Sequence, residues 1–398
     1  MKKNKKILFV ASHLNPFAPS KGGDAQRTHL LIEACSKIGQ TDVVCFSKNV
    51  VSDIDQCNII YSHEIASTSK PSTNKLRKWM PVIKFWDFTA LFPLNQEKAQ
   101  VIRRLMEKND YDFIVTHYLP KAAECGLFSW KDRLIIDVDD LPSDEFLMMA
   151  HASHSLSGKI RNFLLSKTAK THTHYLLKKT RFSFFSNAEQ LSAHHSAYLP
   201  NIPFYEGKSC PEPDFGVINK RIFFVGDLGY FPNFQGVDYF LKFIYTPLQK
   251  KQHDVEFYIA GATPTNSERI KSWEQYPNVK LLGYVDDLQK EYAQSRVVVV
   301  PVYKGAGTNI KVIEAMQMHR ACVVSKFASR GYTSLFTNRE DYFVAHNDAE
   351  FIEVLEKLLT NEQLNRQTAS NGYTNMKKHY SFSAFLETVK TAFYENSH

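Results

Sequence analysis

RVVVVPVYKGAGTNIKVIEAMQMHRACVVS, residues 296–325, sets two apolar runs on either side of a glycine-bearing loop and a short amphipathic stretch. Val297 to Val300 are β-branched without interruption, the pattern of a strand buried on both faces of a parallel sheet. The sequence then predicts a loop from Tyr303 to Asn309, a helix from Ile310 to Met318 and a second buried strand from Ala321 to Val324. Such a unit suits an anion, because the first helical N–H groups lack internal partners and the helix dipole favours negative charge. Gly305 and Gly307 let the backbone approach a ligand closely or take positive φ. Lys311 and Glu314 are three apart and share one helix face. A cation there suits a pyrophosphate, and a carboxylate one turn on suits ribose hydroxyls. The same spacing also fits an ordinary α/β crossover carrying a surface ion pair.

The flanking sequence repeats the alternation. Before the quoted stretch, Arg221 to Val225, Val255 to Ala260 and Val279 to Leu281 read as strands and Asn233 to Ile244 as a helix; after it, Asp348 to Leu359 and Asn361 to His379 read as helices. In the first half, strands are expected at Ile7 to Ala11, Asp42 to Phe46, Tyr111 to Thr116, Arg133 to Val138 and Phe182 to Phe185. Helices are expected at Asp24 to Ile38 and Gly158 to Lys179. Short apolar strands separated by helices imply parallel, doubly wound sheets. A chain of 398 residues is too long for one ordinary core and suits two domains of roughly 200 residues each. Pro200 to Pro213 holds four prolines and reads as the linker, giving domains 1–200 and 201–381.

Composition places the chain among globular proteins, with 43% apolar and 23% charged residues. No stretch approaches the roughly 18–20 apolar residues of a membrane span. The start, MKKNKKILFVASHL, reads as a first strand with a basic leader rather than a signal peptide, since its apolar run is only Ile7 to Ala11. Six cysteines show no ligand-like spacing and read as buried thiols of a reducing cytosol, so a cytoplasmic protein is expected. The net charge of +8 is uneven: residues 1–200 carry 27 Lys/Arg against 19 Asp/Glu, and residues 201–398 carry 22 of each. The asymmetry suits an anionic partner, or simply a solvated basic surface.

GAGTNIKVIEAM followed by CVVS resembles the donor segment of family 4 retaining glycosyltransferases of the GT-B fold, in the bacterial branch reading GxGTxxKxxEAM. The resemblance implies an α/β, GT-B architecture: two Rossmann-like doubly wound parallel-sheet domains facing across a cleft. The first would bind acceptor and the second a nucleotide sugar, with the closing helix 382–398 packing back on the first. RIFFVG and DLGYFPNFQGVDYFL resemble the family's first strand and loop of the nucleotide domain, which implies Gly226 and Asn233 near the donor. The Arg and Lys that many members carry there are replaced by neutral residues beside Asp227, so Lys311, with Lys304, would bear more of the phosphate charge. Glu314 fits the second glutamate of the family's pair, while Ala306 stands where the first is expected. Gly305, Ala306, Gly307, Thr308 and Asn309 would line the phosphates, and Glu314 would bind ribose. In LLGYVDDL, Tyr284 and Val285 are candidates for contact with the base, or for simple packing.

In the first domain, NPFAPSKGGDAQRTHLL resembles the glycine loop facing the donor phosphates, implying roles for Gly22, Gly23 and Arg27. Arg27 faces the cleft if the helix starts near Asp24, and is otherwise a surface charge. DFIVTHYLP and LIIDVDDLPS bring His117 and the carboxylates Asp137, Asp139 and Asp140 to strand ends, where ligands of doubly wound sheets bind. The resemblance implies that His117 binds the sugar or donates a hydrogen bond near the reacting centre, and that Asp139 or Asp140 orients the acceptor. DVD also looks like the metal motif of the other large glycosyltransferase fold, but such carboxylates equally cap turns.

Ser69 to Trp86 and Ser155 to Lys170 mix basic residues with aromatics and leucines, as segments lying on anionic membrane surfaces do. They equally suit a basic face around a packed helix, and no reader motif supports nucleic acid. The function implied is transfer of a hexose-type sugar from a nucleoside diphosphate to a glycan or lipid-linked glycan in bacterial surface polysaccharide synthesis. Retention of configuration, no cofactor and no essential metal go with it, as does contact with the cytoplasmic face of the membrane. The alternatives are a non-catalytic binding subunit of the same fold and a sugar-nucleotide epimerase.

Overall fold

The computed structural model describes residues 5–11, 15–17, 23–48, 50–65, 75–139, 141–153, 155–191, 195–203, 209–264, 267–305 and 308–394. The chain forms two compact units, one of Met1–Pro200 with Phe385–His398 and the other of Asn201–Ala384.

The first unit is built on strands β1 (Lys5–Ala11), β2 (Gly39–Cys45), β3 (Cys57–Ser62), β4 (Phe113–His117), β5 (Leu134–Asp139), β6 (Phe182–Phe185) and β7 (Ser196–Tyr198). Their order is β3-β2-β1-β4-β5-β6-β7, and every neighbouring pair is parallel. Strands β1, β4 and β5 are apolar runs that the helices cover, which is why their residues are almost wholly buried. Strands β3 and β7 went unrecognised in the sequence. β3 lies at one edge and is only part-buried, and β7 is three half-buried residues at the other. Helices that matter below are α1 (Gly23–Ile38), α2 (Lys75–Ile83), α3 (Pro142–Ala152) and α4 (Leu156–Leu177).

The second unit carries β8 (Arg221–Val225), β9 (Glu256–Ala260), β10 (Val279–Gly283), β11 (Val297–Val300), β12 (Ala321–Ser325) and β13 (Phe343–Ala345). The order is β10-β9-β8-β11-β12-β13, again parallel throughout. The four valines of β11 are fully buried and pair with Ala321 to Val324, strand for strand as the sequence reads. Helix α5 (Phe231–Phe240) follows β8, and α6 (Lys311–Gln317) follows β11. The last helix, α7 (Phe382–Tyr394), leaves the second unit and joins the first. There Phe393 meets Phe113 edge-on at 4.9 Å, and Arg181 Nε donates to the Ala392 carbonyl at 3.3 Å.

The two units divide at the start of the proline-rich stretch, between Pro200 and Asn201. Two buried arginines hold its end and the residues that follow: Arg320 donates to the carbonyl of Pro211, and Arg296 donates to those of Phe215 and Ile218. Burial pushes the Arg320 guanidinium down to about 10. In each sheet the strand order reverses between two central strands, β1 and β4 in one and β8 and β11 in the other. Ligands of open parallel sheets bind beyond strand carboxyl ends at such reversals. His117 ends β4, and the glycine loop follows β11.

Candidate functional site

At the strand ends of the first unit, five side chains from α1, β4 and β5 converge. Arg27, buried on α1, grips Asp137 with two parallel bonds of 2.7 Å from Nε and Nη2, and donates to the Leu199 carbonyl at 3.0 Å. Its Nε lies 3.7 Å from Asp139 Oδ1. Burial alone would lower the proton affinity of Arg27, but Asp137 and Asp139 outweigh it and raise it. For Asp139 burial pulls upward, while Arg27 and His117 hold the carboxyl below the ordinary range. Asp139 is thus held charged.

The His117 ring fills the space between them. Nε2 is 3.6 Å from both Asp137 Oδ2 and Asp139 Oδ2, and Nδ1 is 2.8 Å from Thr28 Oγ1. The Thr28 hydroxyl gives its one proton to the Asp24 carbonyl, so it accepts from Nδ1–H. Tyr118 stacks on the ring at 3.9 Å. The backbone is unusual here. Tyr118 and Asp139 have φ of +69° and +52°, and the β5–β6 register shifts between Asp137 and Asp139. Each such non-glycine residue costs on the order of 1–3 kcal/mol and is kept where surrounding structure imposes it. The bulge re-aims Asp139 while Asp137 stays inside.

One expectation changes. Arg27 is neither open to a cleft nor a surface charge, because its guanidinium is occupied by carboxylates inside the unit. His117 has a side chain only 1% exposed, so the carboxylate it braces, Asp139 at 11%, is what the cluster presents outward.

In the second unit the starts of α5 and α6 meet through Asn233 of α5. Its Oδ1 accepts from Lys311 Nζ at 3.2 Å, and its Nδ2 donates to the Asp227 carbonyl at 2.9 Å. A Cβ on Gly226 would stand 2.9 Å from that amide, so glycine leaves Asn233 its place. Lys311 opens α6 and Glu314 lies one turn on. Burial lowers the proton affinity of Lys311 and raises that of Glu314, each partly offset by the other. An anion at Lys311 would relieve its side of this conflict. Ile310 at the cap of α6 offers no side-chain acceptor to the first-turn amides. Gly305, at φ +138°, packs beside Tyr230 and beside Pro232 in the first turn of α5. Lys304 Nζ sits 4.6 Å over the Phe231 ring. Thr308 and Asn309 are half-buried at the far side of the loop.

Tyr284 is 67% exposed after β10, so packing does not hold it; Val285 is half-buried. Gly23 begins α1 with open space around it. Gly22, Asp140, Ala306 and Gly307 lie outside the described residues. The sequence does not point to Thr28, which lies 2.8 Å from His117 Nδ1, or to Arg330. The Arg330 guanidinium reaches the Gly305 carbonyl at 3.5 Å, and Gly331 beside it, at φ +83°, lies against Thr308. An Arg-Gly pair after a buried strand was the available signal. Among the described residues no cluster of three His, Cys, Asp or Glu side chains is arranged to hold a metal ion.

Residues 219–361 match the family of glycosyl transferases group 1. The chain is similar to an uncharacterized 44.6 kDa protein in the cps region of Klebsiella pneumoniae, 22% identical over 83% of this chain and 89% of that one. Among solved structures it is similar to sucrose-phosphate synthase from Thermosynechococcus elongatus, with a TM-score of 0.67 and 13% identity over 98% of both chains. It is also similar to HepE from Anabaena in complex with UDP and glucose, with a TM-score of 0.62 and 14% identity over 98% of this chain and 99% of that one. The chain thus has the GT-B fold of glycosyltransferases and carries, across the sheet that holds Lys311 and Glu314, a group 1 glycosyl transferase segment.

Proposed function

We propose that this protein transfers a hexose-type sugar from a nucleoside diphosphate to a glycan or lipid-linked glycan, with retention of anomeric configuration and without an essential metal. The observation that carries the reading is the Lys311–Asn233 contact at the strand reversal of the second unit, inside the segment that matches group 1 glycosyl transferases. Lys311 and the backbone around Gly305 to Asn309 bind the diphosphate and stabilise the charge that develops on it as it leaves, the kind of preorganised electrostatics that dominates much of catalysis. Glu314 accepts from ribose hydroxyls. In the first unit Asp139, braced by His117 and Arg27, orients an acceptor hydroxyl. The cps-region relative and the UDP complex of HepE support a role in surface polysaccharide synthesis and a nucleotide-sugar substrate.

A thermal-shift screen of the protein against UDP-, GDP-, ADP- and CMP-sugars tests the donor assignment. One class should raise the melting temperature and, with an acceptor extract, release its nucleotide. A folded protein that none of them stabilises would remove the donor site; stabilisation with no turnover on any acceptor would instead favour a binding subunit. Conversion of the donor alone to another sugar would point to an epimerase.

A further inference from the structure

After β12 the chain turns back toward the glycine loop that follows β11. Ser325 ties the two together: its Oγ donates to the Val302 carbonyl and accepts from the Ala328 amide at 3.1 Å. Arg330 comes next, exposed but not loose. Its guanidinium lies 3.5 Å from the centre of the Phe327 ring, and Nε donates to the Phe327 carbonyl at 3.3 Å. From there Nη2 donates to the Gly305 carbonyl at 3.5 Å. Gly331 lets the turn come this near. It has φ +83°, and a Cβ on it would stand 2.7 Å from Thr308 Cγ2. The turn thus sets a guanidinium beside the loop in advance of any ligand.

We infer that Arg330 is the second cation of the donor site and binds the diphosphate together with Lys311. The inference rests on the donor reading above and names a residue which that reading lacks. Two phosphates carry two charges, and Lys311 brings one ammonium, which it shares with Asn233. Lys304 is held elsewhere, with Nζ 4.6 Å over the Phe231 ring. Arg330 reaches the opposite end of the same loop, at Gly305. A guanidinium matches phosphate oxygens two at a time, where an ammonium acts as a point charge. An arginine that only braced the Gly305 turn would act differently on removal. Its loss would lower stability and weaken every ligand alike, whereas a phosphate partner is felt by charged ligands alone.

Calorimetry of the full chain with UDP, GDP, ADP and CDP first identifies the diphosphate that it binds. That nucleotide and its free nucleoside are then titrated into Arg330→Gln and Arg330→Lys. Arg330→Gln should bind the diphosphate about tenfold more weakly, as the loss of a hydrogen bond to a charged group implies. It should bind the nucleoside as before and keep the melting temperature of the unaltered protein. Arg330→Lys should recover part of the loss, because it restores the charge without the fork. Added salt should narrow the gap between the unaltered protein and Arg330→Gln. Equal diphosphate binding by these two would overturn the inference and leave the donor site standing. Equal losses for nucleoside and diphosphate would overturn it as well and make Arg330 a brace of the loop. If the unaltered protein binds none of the four, the donor reading falls and this inference falls with it.

Discussion

Lys311 sits half-buried at the start of α6, where burial makes its proton easier to lose and Asn233 is its polar partner. If it binds a diphosphate, Lys311→Ala should weaken nucleoside diphosphates about 10- to 100-fold, as the loss of a hydrogen bond to a charged group implies. Free nucleosides should bind as before in calorimetry; equal losses for both would remove the phosphate role. The sign of the pH effect follows from the lowered value. The cation needed for binding is lost as pH rises through a pKa below the usual lysine range, so affinity should fall on the alkaline side. Lys311→Arg should move that fall to higher pH, because guanidinium stays charged. Arg27 makes a different prediction. Arg27→Met leaves Asp137 and Asp139 as buried, uncompensated charges, and removing one partner of a buried pair costs about 3–5 kcal/mol. Urea denaturation should show that loss and should show part of it recovered when Asp137→Asn is added. A loss within error would mean that water reaches the cluster freely.

At the scale of elements, the second sheet is pinched where three strand ends meet. Gly261 has φ +142°, donates to the Gly283 carbonyl at 2.7 Å, and would place a Cβ 1.9 Å from the Gly226 carbonyl oxygen. The obstacle is backbone, which cannot swing aside. Gly261→Ala should cost more than about 1 kcal/mol, since neither its dihedrals nor its space suits alanine. Gly23→Ala is the contrasting substitution. Nothing lies within 4 Å of its added Cβ and it begins a helix, so stability should hold or rise by up to about 1 kcal/mol. Comparable losses for the two would show that the strand-end pinch has no special cost. This level was largely legible, because β8 and β11 have the very bounds that their apolar runs mark out. The edge strands β3, β7 and β13 were not, because short, part-solvated or unpatterned segments carry no periodic signal.

On the scale of the whole molecule, the chain closes by sending α7 back to the unit it began with. Phe385, Val389, Ala392 and Phe393 are buried, and Lys5 Nζ donates to the Phe393 carbonyl beside the first strand. Each large apolar side chain so buried is worth about 1.5–3 kcal/mol. Truncation after residue 384 should therefore strip several kcal/mol from the first unit. Hydrogen exchange should show lost protection in β1, β4 and β6 and retained protection in β8 and β11. Equal loss in both units would mean that they unfold as one.

Local pattern alone determined the parallel α/β class, the two sheets, and the glycine loop with Lys311 and Glu314. Each of those is a statement about residues near one another in the chain, where burial leaves a period. Tertiary structure alone decided that Arg27 belongs to Asp137, 110 residues away, that Asp139 rather than His117 faces outward, and that Arg320 is buried with its guanidinium on the Pro211 carbonyl. A charged residue looks the same in sequence whether it is solvated or enclosed. Which it is depends on the partners that folding brings beside it, and those leave no mark on spacing.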